Sequence, residues 1–187
     1  IRGFGARAPF GIRGIRILVD GIPETTPDGQ AQVDNIDLGF ISRAEVFRGS
    51  SSALFGNASG GMINLISELP SNTSFYEARL TAGQFGYQKV QVKSGNTIKN
   101  LSYVVHASHN QNIGYRKHSN MKNYIFNGKA QLEIDPLSRI RFHVSFANSP
   151  TAKDPGSLNI DQVKADPKQA RRSEEHTSEL QSRTNLV

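Results

Sequence analysis

The sequence predicts a small α+β domain followed by an antiparallel sheet of long strands. The first supporting observation is a glycine-rich strand–turn–strand pattern over residues 41–67. The second is a regular alternation of apolar and polar residues that begins after Pro70. Because the periodicity changes at this proline, we assign residues 1–70 to one domain and residues 71–171 to the sheet.

Composition excludes several classes of protein. The chain has 22 Lys and Arg against 16 Asp and Glu, a net charge of +6, but these residues are scattered and form no basic stripe. We therefore expect no nucleic-acid partner. Cysteine is absent, which excludes disulfides and thiolate metal sites. No apolar run reaches the roughly 18 residues of a membrane helix, although membrane strands alternate and escape that criterion.

The first forty residues predict one strand, one tight turn and one helical turn. Residues 15–20 read as a strand, with Ile15, Ile17 and Val19 on one face. Asp20-Gly21 is a hairpin-type turn signal. Residues 24–32 are polar and rich in proline and glycine, which predicts an exposed loop. Residues 35–38 are expected to form a single helical turn.

The glycine-rich stretch predicts two strands around a turn of small residues. Residues 41–48 suit a short buried strand, residues 56–61 a turn, and residues 62–66 a second strand. The segment lacks the lysine of a phosphate-binding loop. A loose dinucleotide motif at residues 3–8 has no strand before it, and Pro9 disfavours the helix that should follow. We therefore expect no nucleotide site.

Five alternating segments of roughly eight to eleven residues follow, a length that suits tilted transmembrane strands. One face would meet lipid and the other a polar lumen. An antiparallel sheet of a soluble protein, with one face in water, has the same period. The period alone therefore does not distinguish a membrane sheet from a soluble one. The segments centre on residues 76–82, 89–93, 101–108, 124–134 and 140–146.

The connections alternate in length from the second segment onward. Residues 96–100 and 135–138 are short turns, whereas residues 110–121 and 147–163 are longer loops. Such alternation is typical of membrane barrels, with short turns on one side and long loops on the other. The link at residues 83–87 is short for an outer loop.

The histidines do not predict a metal site or a catalytic centre. No metal-binding helix spacing is present, and His106 and His109, three apart on a strand, should face opposite ways. No Ser–His–Asp arrangement can be placed. We expect no metal and no enzymatic activity.

The stretch EVFRGSSSALFGNASGGMINLIS closely resembles the plug signature of TonB-dependent outer-membrane receptors. Two upstream pieces, IRGFG and ILVDGIP, agree with it in order and spacing. Ser50 and Phe55 depart from the usual proline and tyrosine without disturbing the glycines. The signature positions are Arg2, Gly3, Asp20, Gly21, Glu45, Arg48, Gly49, Gly56, Gly60, Gly61 and Asn64.

The resemblance implies an α+β plug domain followed by antiparallel strands of a truncated transmembrane β-barrel. Residues 1–70 would be the plug, truncated at its N-terminus, and residues 71–171 the first five strands of a barrel of about 22. Five strands cannot close, so the remaining strands are expected to be missing. Residues 172–187 contain RSEEHTSELQS, which resembles a translated sequencing adapter, and we exclude them from the fold prediction.

The same resemblance implies active import across the outer membrane of a Gram-negative bacterium. The expected ligand is a ferric siderophore or ferric citrate, with energy from the TonB–ExbB–ExbD complex and outer-membrane lipid around the barrel. Iron would arrive already chelated, so no cofactor is expected. Short pieces at residues 27–30, 114–116 and 154–158 resemble the siderophore and ferric-citrate subgroup. The alternatives are a receptor for cobalamin, heme or an oligosaccharide, and a soluble β-rich binding module.

Two plug loops, residues 6–13 and 24–32, are the candidate ligand contacts that the resemblance implies. Arginine can pair with the anionic groups of a chelate, an aromatic ring can offer a face, and carboxylate or amide groups can form hydrogen bonds. The alternative is that these side chains are solvated or contact the barrel. The candidates are Arg7, Phe10, Arg13, Asp28 and Gln30.

Overall fold

The computed structural model describes two compact units, Ile1–Glu68 and Leu69–Val187, each built around one β-sheet. The described residues are 12–24, 30–31, 33, 35–49, 58–69 and 73–171, together with the backbone of Gln181–Arg183. Within these residues, no helix is both long and apolar enough to cross a membrane.

The first unit contains a mixed four-stranded sheet in the order β2-β1-β4-β3. The central pair, β1 and β4, runs parallel, whereas β2 and β3 pair antiparallel with β1 and β4 respectively. The predicted strands at residues 15–20 and 62–66 are confirmed, except that Asp20 lies in the turn after β1. The strands are β1 (Ile15–Val19), β2 (Ile22–Pro23), β3 (Ile41–Arg48) and β4 (Gly61–Ser67).

The core of this unit lies under the two central strands. Ile17 and Val19 of β1 pack with Ala31 and with Leu65 of β4. Central strands carry the buried side chains because they have neighbours on both edges. Ile12, Ile36, Ile41 and Ile63 pack around this cluster.

The prediction of a buried strand at residues 41–48 is wrong in its burial. The segment does form β3, but Val46 and Phe47 are both exposed. The reason is position, since β3 lies at the sheet edge and pairs only with β4. A register shift between Ile41 and Arg43 also breaks the alternation there.

The helical turn predicted at residues 35–38 lies further along the chain. The structure has a 3₁₀ helix at Leu38–Phe40. Asp37 caps it, because the Asp37 carboxylate accepts a hydrogen bond of 2.7 Å from the Gly39 amide. Phe40 is buried at its end.

The second unit is an antiparallel sheet whose strands neighbour one another in chain order. All five predicted segments are strands, and the last three, of 12, 15 and 15 residues, are longer than predicted. A 3₁₀ helix, Gln84–Gly86, joins the first two. The strands are β5 (Phe75–Ala82), β6 (Gln88–Ile98), β7 (Leu101–Asn112), β8 (Met121–Asp135) and β9 (Ser138–Ala152).

Short and long connections lie at opposite ends of this sheet. Two-residue turns at 99–100 and 136–137 close one end. The other end carries residues 83–87, 113–120 and 153–171. This is the alternation predicted from the sequence.

The loop predicted at residues 147–163 is partly wrong. Strand β9 continues to Ala152, which pairs with Met121 at the start of β8. A helix, α1 (Ile160–Ala165), follows and is capped reciprocally by Asn159 and Gln162.

A short strand, β10 (Gln181–Arg183), pairs antiparallel with β9. It lies within residues 172–187, for which no structure was predicted. Backbone pairing at a sheet edge requires only free N–H and C=O groups, so a side-chain pattern does not predict this strand.

Candidate functional site

The two predicted ligand loops lie side by side at their described ends. Ile12 and Ala31 form an isolated antiparallel bridge, in which the Ala31 amide donates to the Ile12 carbonyl at 2.9 Å. Arg13, which is exposed, follows Ile12, and the half-buried Gln30 precedes Ala31. Arg7, Phe10 and Asp28 lie outside the described residues. The contact of all five with a ligand stays a prediction.

The signature residues Asp20 and Gly21 form the tight turn that the sequence predicts. Both have positive φ angles, +52° and +82°, and the strands they join pair at Val19 and Ile22. Asparagine, aspartate and glycine tolerate this backbone region best. The Asp20 carboxylate also accepts hydrogen bonds from the amide and the hydroxyl of Ser67. It therefore joins the hairpin to the end of β4.

A second group of signature residues pairs β3 with β4. The Asn64 side chain donates a hydrogen bond of 3.2 Å to Glu45, which lies opposite it in the register. Glu45 also forms an ion pair of 2.9 Å with Arg43. These contacts give Glu45 and Asn64 a structural role in the alignment of the two strands.

The signature glycines and Arg48 belong to the ends of the same strands. Gly49 and Gly61 have φ angles of +105° and +135°, which side chains rarely adopt. The Gly60 amide donates to the Gly14 carbonyl at 2.8 Å, and Arg48 lies opposite Gly61. Arg2, Gly3 and Gly56 lie outside the described residues.

The large sheet has two faces of opposite character, and its polar face is the buried one. His106 is 2 % exposed and Lys129 is 8 % exposed. Lys93 of this face forms an ion pair of 3.1 Å with Glu77, and Ser145 donates a 3.0 Å hydrogen bond to Asn127. The buried polar residues of this face are Gln91, His106, Ser108, Asn123, Asn127 and Lys129, and the apolar Val104 and Ile125 are buried beside them.

The apolar face of the same sheet is exposed. Tyr76 is 86 % exposed and Phe126, near the middle of β8, is 41 % exposed. A sheet in water buries its apolar side chains, so this sheet is inverted relative to that rule. The exposed members of this apolar face include Tyr76, Leu80, Val90, Val92, Val105, Tyr124, Phe126, Ile140, Phe142, Val144 and Phe146.

His106 and His109 lie on opposite faces of β7, as their spacing predicts. His106 lies on the polar face, whereas His109 stacks on Tyr124 of the apolar face with ring centroids 4.4 Å apart. The part of the chain that the structure describes contains no cluster of three or more His, Cys, Asp or Glu residues able to hold a metal ion.

The long connections at one end of the sheet, residues 83–87, 113–120 and 153–171, form what we term the loop cluster. The Ile113 and Gly114 amides both donate to the Phe85 carbonyl at 3.1 Å. Phe85 also meets Tyr115 edge-to-face, with ring centroids 5.4 Å apart, and the Lys168 ammonium lies 5.6 Å from the centre of the Tyr115 ring. These contacts join three connections that are distant in sequence.

The loop cluster also unites two short pieces that the sequence analysis singled out separately. Arg116, from the piece at residues 114–116, donates to the Pro155 and Gly156 carbonyls of the piece at residues 154–158. Sequence reasoning missed Arg116 as a contact residue. An arginine that binds carbonyl oxygens leaves no complementary charge in the sequence to reveal its partner.

Comparison with known proteins identifies the first unit. Residues 1–62 match the family described as the TonB-dependent receptor plug domain. The vitamin B12 transporter BtuB of Vibrio cholerae is 31 % identical over 103 residues, which cover 51 % of this chain and 17 % of that protein. The ferrioxamine receptor of Yersinia enterocolitica is 39 % identical over 71 residues, covering 37 % of this chain and 9 % of the receptor. These relatives are a transporter and a receptor, in agreement with the prediction that the chain is not an enzyme.

Solved structures extend the likeness beyond the plug. The siderophore receptor PiuA of Acinetobacter baumannii superposes with a TM-score of 0.64 at 23 % identity, covering 75 % of this chain and 21 % of that one. The pyoverdine outer-membrane receptor FpvA of Pseudomonas aeruginosa gives 0.63 at 19 % identity, covering 72 % and 20 %. The matched part of the chain thus spans about a fifth or less of the length of these four proteins. Residues 1–62 are therefore a TonB-dependent receptor plug domain, and the strands that follow have the fold found at the start of a siderophore-receptor barrel.

Proposed function

We propose that this chain forms the plug and the first barrel strands of a TonB-dependent outer-membrane receptor that imports a ferric siderophore or ferric citrate. Energy would come through the TonB–ExbB–ExbD complex of a Gram-negative bacterium. The ligand would pass without chemical change, its iron already chelated. No nucleic acid and no cofactor take part.

The inverted sheet is the observation that carries this proposal. Aromatic and branched side chains project from the apolar face, while lysine, histidine and asparagine are buried on the other. Exposure of these apolar side chains to water would cost free energy, whereas contact with lipid tails would not. The soluble binding module is disfavoured for this reason. Lipid around the apolar face and a polar lumen on the other side would suit both faces of the sheet.

The ligand class is supported by the matched proteins. Their names describe receptors for ferrioxamine, pyoverdine and siderophores in general. A vitamin B12 receptor is the second candidate, because BtuB matches over about half of the chain. Both candidates share the same transport mechanism and differ only in the ligand.

Ligand contact is proposed for the two plug loops that meet at the Ile12–Ala31 bridge. Arg13 is exposed beside this bridge and is free of any ion pair among the described residues. A guanidinium there can bind a carboxylate or another anionic group in bidentate fashion. Gln30 lies on the other loop. Arg7, Phe10 and Asp28 would complete the set.

The test is uptake by the complete receptor that carries this chain, in iron-starved cells lacking their own siderophore receptors. We expect saturable accumulation of iron-55 from a ferric siderophore or ferric citrate, abolished when tonB is deleted. Uptake of labelled cobalamin in place of iron would instead select the second candidate. Import of neither ligand, or import that is unchanged without TonB, would contradict the proposal.

The role of Arg13 has its own test in the same assay. The Arg13→Ala variant should lower ligand affinity by about tenfold, the loss typical of a hydrogen bond to a charged group. Arg43→Ala is the matched control, since Arg43 is equally basic and exposed, and its one ion pair among the described residues is with Glu45 on its own strand. Equal affinity in both variants would remove Arg13 from the ligand site.

A further inference from the structure

Two segments of the loop cluster are joined mainly through one side chain. The Arg116 guanidinium donates four hydrogen bonds to segment 153–171. Its Nε and Nη2 atoms bind the Gln169 carbonyl at 3.0 and 2.9 Å. Its Nη1 binds the Gly156 carbonyl at 2.8 Å, and Nη2 also binds the Pro155 carbonyl at 3.1 Å.

These acceptors come from both ends of the segment. Pro155 and Gly156 begin it, while Gln169 ends it, so a single guanidinium holds both ends. The Arg171 amide donates to the Pro155 carbonyl at 2.9 Å, which closes the segment upon itself. Helix α1 lies between these ends. The segment is therefore a closed loop whose base surrounds Arg116.

The donor geometry requires arginine. Three carbonyls are reached by the planar fork of one guanidinium, and an ammonium group has neither the breadth nor the fixed directions for this. Arg116 is half-buried, so loss of its donors would leave carbonyls with poor access to water. These hydrogen bonds therefore depend on the shape of the Arg116 guanidinium as well as on its charge.

The backbone before and after Arg116 is itself held in place. The Ser119 hydroxyl donates to the Arg116 carbonyl, and the Gly114 amide binds the Asn112 side chain at 2.9 Å. Gly114 has a φ of +82°, and a Cβ atom added there would clash with Ser119. The arginine therefore projects from a loop with a defined conformation.

The neighbouring Lys117 offers a contrast. Its ammonium lies 3.7 Å from Asp166, and both side chains are largely exposed. Exposed pairs of this kind contribute little to stability. Its backbone amide, which donates to the Lys168 carbonyl at 2.8 Å, also depends on the two segments remaining together.

We propose that Arg116 is a positioning residue that fixes segment 153–171 on segment 113–120, so that the two move as one body. This preassembled body presents Tyr115 and Lys168 together at the end of the sheet. The inference concerns the loop cluster alone and does not depend on the identity of any ligand.

The test uses spin labels in the complete receptor that carries this chain. The chain contains no cysteine, so labels can be placed at Lys164 of α1 and Lys122 of β8 without background from it. We expect one narrow distance distribution in the parent and a broad one in Arg116→Ala. Arg116→Lys should restore it only in part, and Lys117→Ala should keep the parent distribution. A narrow distribution in Arg116→Ala, or equal broadening in Lys117→Ala, would overturn the proposal.

Hydrogen exchange gives a second test that needs no folded variant. The amides of Lys117, Lys153 and Arg171 all bond between or within the two segments, to Lys168, Asn120 and Pro155 respectively. If the two segments move as one body, these three amides should have the same protection factor in the parent protein. Where Arg116→Ala folds, the Lys117 amide should exchange about tenfold faster or more. Unrelated protection factors in the parent would contradict the proposal.

Discussion

The two sheets of this chain bury side chains of opposite character. In the first unit, the apolar side chains of Ile17, Val19 and Leu65 form the core. In the large sheet, polar His106 is buried while Phe126 is exposed. Period two identifies a strand in both cases. The period alone therefore does not predict which face is buried, because the surroundings of each sheet determine it.

The largest effect is expected in the core of the first unit. Leu65→Ala should lower the free energy of unfolding by about 2–5 kcal/mol, since it removes packed methyl groups and leaves a cavity. Leu38, which is exposed, is the matched control, and its change to Ala should stay within about 0.5 kcal/mol. The measurement is urea unfolding of the complete receptor, followed with a probe in the plug. Equal losses would contradict the assigned core.

A charge on the apolar face should produce the next largest effect. Phe126→Arg is expected to destabilise the receptor in lipid vesicles by about 2–4 kcal/mol, because an arginine near mid-strand would face hydrocarbon. Val46→Arg serves as the control, since Val46 is an exposed apolar residue of the first unit. Its cost should stay within about 0.5 kcal/mol. If Phe126→Arg were equally harmless, the apolar face would not be in lipid.

Two glycines of the large sheet differ in the space available for a side chain. A Cβ at Gly95 would lie 2.6 Å from the Phe75 ring and 3.0 Å from the Tyr103 carbonyl, so Gly95→Ala should cost about 1–3 kcal/mol. A Cβ at Gly128 would meet Phe126 at an ordinary 3.6 Å, and Gly128→Ala should be close to neutral. Thermal unfolding of both variants checks this order, and a reversed order would refute the packing at β5 and β6.

The smallest expected effect concerns the Asp20 turn. Asp20→Asn keeps an oxygen acceptor and the tolerance for positive φ but loses the carboxylate charge that Ser67 contacts. We expect a loss of about 1 kcal/mol, and a greater loss for Asp20→Ala, which removes the acceptor as well. Urea titration compares the two. A smaller loss for alanine than for asparagine would show that the Ser67 contacts do not stabilise the turn.

Much of the fold could be predicted because its signals are local. Alternation located strands β5 to β9 of the large sheet, and Asp20-Gly21 predicted its turn because both residues tolerate positive φ angles. The burial of β3 could not be predicted, since it depends on an edge position that only the pairing of β4 reveals. The ends of β8 and β9 depend in the same way on the length of the neighbouring strand.

The site was predictable to a smaller extent, again for a physical reason. Glu45 and Asn64 are part of the plug signature. Their hydrogen bond depends on the register of β3 against β4, which cannot be predicted from the sequence. Arg116 was part of a recognised short piece, yet its partners are backbone carbonyls, which every residue carries. Contacts between side chain and backbone over long separations leave little trace in composition or spacing.

The inverted sheet is tested most directly by lipid access along β8. Single cysteines at successive positions from 122 to 134, in a chain that has no cysteine of its own, can carry a fluorescent label in the complete receptor in lipid vesicles. We expect brominated lipid to quench labels at positions 124, 126, 128, 130 and 132 and to leave the labels between them unquenched. Quenching without this alternation, or quenching of the positions that include Asn127 and Lys129, would contradict it.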